Sequence, residues 1–94
     1  MPVGHSVRPQ KWTNVIDLYD DGDYSAIWGY YDGDTRPCLG VRWNENYPRQ
    51  ADYPVWYVEP QFLTANILLR LLTEVNSKPS LGNINNLLLA LQQC

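Results

Sequence analysis

The chain has 94 residues, 45% hydrophobic and 18% charged, with a formal net charge of −3. This is a globular composition of the right length for a single domain over 1–94, not a disordered one. Only seven Lys and Arg are present and they are scattered, which excludes a basic face for nucleic acid or for an anionic membrane surface.

Residues 1–10 hold Pro2, Gly4 and Pro9 with little apolar content and read as a loose N-terminal arm. Trp12 to Tyr19 reads as a strand with Trp12, Ile16 and Leu18 on one face and Val15 and Tyr19 on the other. Asp20-Asp21-Gly22-Asp23 is a turn signal, because Asp side chains cap turns and Gly accepts positive φ. Tyr24 to Tyr31 follows as a second strand, Asp32-Gly33-Asp34 as a second turn, and Cys38 to Trp43 as a third strand. Such short connections favour a meander of hairpins.

Asn44 to Pro54 is the one loop long enough to carry function, and it contains Tyr47. Val55 to Val58 is a short fourth strand bracketed by Pro54 and Pro60, as suits a sheet edge. Pro60 then opens a helix over Gln61 to Val75 whose apolar residues cover more than half of its circumference. After Asn76 to Pro79, Ser80 is the expected N-cap of a second helix from Leu81 to about Gln92. The expected fold is therefore α+β: an antiparallel meander of about four strands followed by two C-terminal helices packed on one sheet face.

No arrangement of residues points to a particular reaction. The acidic turns lack the alternate carboxylates and terminal Glu of a calcium loop. His5 is the only histidine and falls in the loose arm, and no ligand pair has zinc spacing, so neither a metal nor another cofactor is expected. Cys38 and the terminal Cys94 read as free thiols, which fits a reducing cytoplasm. No apolar run reaches the ~20 residues of a membrane span.

The aromatic loading carries more information. Trp28, Tyr30, Trp43, Trp56 and Tyr57 come from three strands, so both sheet faces receive aromatics while two helices can cover only one face. An open aromatic face, or the 44–54 loop with Tyr47, is the expected binding surface, with Arg42 beside it as a residue able to stack on an aromatic or hold an anion. The favoured reading is a non-enzymatic binding module for a protein or a small apolar ligand. The alternative is an enzyme using the Asp17 carboxylate with Arg42. The excess of apolar surface on the first helix predicts a homodimer, with Leu68 and Leu71 as the positions whose charged variants would test it.

The strings Asp21-Gly22-Asp23-Tyr24-Ser25-Ala26, Leu39-Gly40-Val41-Arg42-Trp43-Asn44, Tyr47-Pro48 and Pro54-Val55-Trp56-Tyr57-Val58-Glu59-Pro60 resemble those of small uncharacterised bacterial proteins carried on mobile DNA, including integron gene cassettes. The resemblance implies a bacterial accessory protein and no particular activity.

Overall fold

A computed structural model describes residues 11–45, 49–50 and 53–94. The proposed N-terminal arm, His5 and Tyr47 lie outside the described residues. Strands β1 (Trp12–Asp20), β2 (Tyr24–Tyr31), β3 (Cys38–Trp43) and β6 (Tyr57–Val58) form one antiparallel sheet in the order β1-β2-β3-β6. Between β3 and β6, β4 (Arg49–Gln50) and β5 (Tyr53–Pro54) pair in a small ladder of their own inside the segment expected to be a plain loop. Helices α1 (Gln61–Ser77) and α2 (Ile84–Gln93) follow, so the α+β meander with two C-terminal helices is the observed fold.

The first turn is built by its aspartates. Asp21 Oδ1 accepts from the backbone N–H groups of Asp23 and Tyr24 at 2.8 Å, and Asp20 Oδ1 accepts from Gly22 N–H at 2.9 Å. These carboxylates close a hairpin through local side-chain to backbone bonds. Among the described residues, no group of three or more His, Cys, Asp or Glu is placed to hold a metal ion.

Two register shifts in β1 change which face its side chains occupy. Thr13 pairs with Tyr30 and Ile16 with Trp28, so two residues of β1, Asn14 and Val15, oppose Gly29; Asn14 takes φ +51°. Asp17 pairs with Ile27 and Tyr19 with Ala26, leaving Leu18 as an extra residue. Each bulge resets the two-residue alternation. The simple alternation expected from the sequence is corrected accordingly: Trp12 lies on the face opposite Ile16 and Leu18, and Tyr19 joins the Leu18 face.

Both helices pack on one face. Leu18, Tyr19, Ala26, Trp28, Leu39 and Val41 of the sheet meet Leu68, Leu71 and Val75 of α1 and Leu87 and Ala90 of α2. The other face carries its own smaller cluster of Trp12, Ile27, Cys38 and Trp56, with Val15, Tyr31 and Val58 at its margin. The Trp12 ring meets Tyr31 edge-on, with centroids 5.3 Å apart. Two sheet faces thus close by different means, one with helices and one with indoles.

The start of α2 differs from expectation. Pro79–Leu81 forms a 3-10 turn and Asn83, rather than Ser80, is the N-cap, its side chain accepting from Asn86 N–H at 3.0 Å. The delay has a tertiary cause: Gly82 bridges to Tyr19 of β1 and Asn83 N–H donates to Leu18 O at 3.1 Å. The chain must remain extended there to reach the sheet edge. Asn86 Nδ2 adds a bond to Asp17 O at 2.8 Å, fastening α2 along β1.

Candidate functional site

The structure divides the aromatic residues that the sequence brings forward into three groups. Trp28 is core: it is buried under the helices, and its indole N–H donates to Gln93 Oε1 at 2.6 Å. Trp56 is buried on the opposite face, and Tyr30 is half-buried at the end of β2. Trp43 and Tyr57 are the exposed pair, at 55% and 52% of their surface.

Register explains why these two are together. Val41 pairs with Tyr57, and Trp43 lies two residues beyond Val41 in β3, so Trp43 and Tyr57 are diagonal neighbours on one face. Tyr24 pairs with Trp43 from the other side, and their rings meet edge-on with centroids 4.7 Å apart. Tyr24, Trp43 and Tyr57 therefore run across three adjacent strands. They share the helix-covered face, at a corner the helices do not reach. The sequence did not single out Tyr24; the pairing register with Trp43 is what recruits it.

The corner has a defined border on α1. Arg70 and Glu74 act electrostatically on the Tyr19 hydroxyl, so this flank of α1 faces the Tyr19 and Tyr24 end of the sheet. Leu63, Ile67, Arg70 and Glu74 recur at helical spacing on that flank, and Leu63 is 39% exposed. Burial raises the Tyr24 phenol above its ordinary value of 10, and Glu59 adds to the effect, which places a carboxylate near the ring cluster. The corner is an apolar strip with one acid beside it.

Arg42 is not part of this strip. It is 1% exposed on the opposite face, where Nη1 donates to Val55 O at 2.9 Å and Nη2 approaches Asn44 O at 3.5 Å. Its work is to tie β3 to the segment leading into β6. The nearby polar chain is equally internal: Ser25 Oγ donates to Asn44 Oδ1 at 2.5 Å, and Asn44 Nδ2 donates to Asp20 Oδ1 at 3.0 Å. Asp17 is exposed, two strands away from β3.

A cleft of about 230 Å³ lies beside the β1 edge, lined among others by Asp17, Ser25, Ile27, Trp56, Ser80 and Asn83. It falls below the ~300 Å³ at which small-molecule sites begin. Of the aromatic candidates among the described residues, only Trp56 reaches it. The cleft brings Asp17 and Trp56 to one place but leaves out Arg42, the partner Asp17 would need, whereas the Trp43–Tyr57 corner gathers two exposed aromatic candidates.

No family model, no curated protein and no solved structure matches this chain.

Proposed function

We propose that this chain is a non-enzymatic binding module that holds a protein partner on the Tyr24–Trp43–Tyr57 corner. The observation that carries this reading is the exposure of Trp43 and Tyr57 side by side on a rigid sheet. Together they leave roughly 200 Å² of aromatic surface to solvent. Tryptophan and tyrosine are the residues that most often anchor protein interfaces, since they offer large area at small entropic cost. With about half of each of Trp43 and Tyr57 in solvent, the strip suits the side chains of a polypeptide better than a small molecule that must be enclosed. The enzymatic alternative gains no comparable support, because Arg42 is buried with its Nη groups directed at the carbonyls of Val55 and Asn44, and Asp17 lies on β1, two strands away. Two free cysteines, Cys38 buried and Cys94 exposed, support a cytoplasmic setting for the module. Among the described residues no helix is long and apolar enough to cross a membrane.

Selection of a displayed random-peptide library on the immobilised protein tests the reading. Peptides that bind the wild type and lose at least about tenfold in affinity on Trp43→Ala and Tyr57→Ala are expected, as for central interface anchors. Both variants alter exposed positions and should keep the circular dichroism spectrum. Peptides that bind both variants as tightly as the wild type would remove the corner from consideration.

A further inference from the structure

We infer that the outer face of the two helices is the contact surface of a homodimer, formed by Phe62, Ala65 and Leu69 of α1 with Ile84 and Leu88 of α2. This is separate from the aromatic corner and does not depend on it. Phe62 is 81% exposed, Leu69 51%, Leu88 45% and Ile84 39%. On α1, the buried Thr64, Leu68, Leu71 and Val75 define the inward direction. At about 100° per residue, Phe62, Ala65 and Leu69 fall within one sector that is turned away from that core. On α2, Asn86 points to β1 and Leu87 to the core, and Ile84 and Leu88 follow on the outward side.

The hairpin brings the two sectors together. Val75 lies close to Gly82, and six residues link the helices, so they run back along each other. In two antiparallel right-handed helices on one sheet, the order sheet, neighbour, outside has the same rotational sense. Hydrogen bonds from Asn86 to Asp17 O and from Trp28 to Gln93 hold α2 over the Asp17 and Trp28 level of the strands. That level is away from the Tyr19 and Tyr24 end that the Arg70 and Glu74 flank of α1 faces, so α2 borders the flank of α1 leading to Leu69 and Phe62. The exposed sectors of α1 and α2 therefore form the two lips of a single interhelical groove.

Area and charge identify the occupant. The four large residues expose roughly 400 Å² of apolar surface. At the ~65% apolar content of homodimer interfaces this corresponds to roughly 600 Å² per protomer and about 1,200 Å² in total, the lower edge of stable interfaces. From Gln61 to Cys94 the only charged residues are Arg70, Glu74 and Lys78, and Arg70 pairs with Glu74 at 2.6 Å. The groove itself holds no charge, and its surroundings are Asn66, Thr73, Asn85 and Gln92. A two-fold axis sets a surface against itself, and one without charge meets no like-charge repulsion in doing so. It also offers no charge pattern by which a different partner would be selected.

Sedimentation equilibrium of the full chain from about 1 to 200 μM tests this, a range that brackets the micromolar affinity of a small interface. A species of twice 10.9 kDa should dominate at the upper end. Phe62→Asp and Leu88→Lys should each weaken association at least about tenfold while circular dichroism stays unchanged, because both positions are solvent-exposed. Leu89→Asp, on the far side of α2 and 41% exposed, should leave association as it is. A 10.9 kDa species throughout, or a dimer indifferent to Phe62→Asp and Leu88→Lys, or one broken equally by Leu89→Asp, would each overturn the proposal.

Discussion

The Trp12 ring lies against Gly40 across the width of the sheet: a Cβ built on Gly40 would stand 2.7 and 2.9 Å from the atoms at the ring's outer edge. Trp12 belongs to β1 and Gly40 to β3, so the indole spans β2 to reach it. The absence of a side chain at Gly40 is what permits the second face to close over Ile27, Cys38 and Trp56 without helices. Gly40→Ala should displace Trp12, with Ile27 crowding the same point at 3.1 Å. We expect a loss of roughly 1–3 kcal/mol, the usual cost of overpacking, measured by urea unfolding. Tryptophan emission should shift to the red as Trp12 gains water. A variant of unchanged stability and emission would show that the ring moves aside freely.

Gly82→Ala should be more damaging than Gly40→Ala. Its Cβ would fall 2.2 Å from the Leu18 carbonyl oxygen, a backbone atom that cannot rotate away. The bridge to Tyr19 and the Asn83 to Leu18 bond would both be strained, loosening α2 from β1. The expected loss is about 3 kcal/mol or more. Hydrogen exchange should locate it, with the amides of Asn83 and Leu87 losing protection first.

Asn44→Ala should cost roughly 2–3 kcal/mol. It removes the acceptor for Ser25 Oγ and a donor to Asp20, leaving the 2% exposed Ser25 without its side-chain partner. Ser25→Ala in the same background should then add little, because the shared bond is already gone. A double-mutant cycle in urea measures this coupling, and strictly additive losses would count against a linked network.

Stability should decline between pH 10 and pH 12. Burial, helped by the bond to Asp21 and the nearby carboxylates, pushes the Tyr19 phenol from its ordinary 10 up to about 12. The folded value lies above the unfolded one, so the fold favours the protonated phenol. That contribution is complete below pH 10 and is lost as pH rises through 12. The hydroxyl's bond to Asp21 is only partly buried, which limits the size of the effect. Tyr24 and Cys38 are shifted upward by burial as well and act in the same direction. Tyr19→Phe should therefore flatten the alkaline slope of the thermal midpoint without abolishing it. An identical slope in the variant would assign the effect to the other two groups.

The sequence by itself determined the order of the four sheet strands and the two helices, but not the β4–β5 ladder, the 3-10 turn, or the shortening of the fourth strand from Val55–Val58 to Tyr57–Val58. Aspartates at both turns, Pro60 before an apolar run, and the change from two-residue to helical spacing are local signals, and local bonding follows them. What it could not determine was the facing of side chains in β1, because a bulge arises from pairing with another strand and leaves little mark on composition. That single uncertainty moved Trp12 and Tyr19 to the opposite sides from those expected. It also bears on the aromatics: Trp12 and Trp56 close the second face, while among the described strand residues Trp43 and Tyr57 are the exposed aromatics. The same holds for the helices. The excess of apolar surface on α1 was legible, yet Leu68 and Leu71, proposed as interface positions, are 0% and 7% exposed and belong to the core, and the outward residues are Phe62 and Leu69. Periodicity tells how wide an apolar stripe is. Only packing against a particular sheet decides which part of it is spent on the core and which part is left for another molecule.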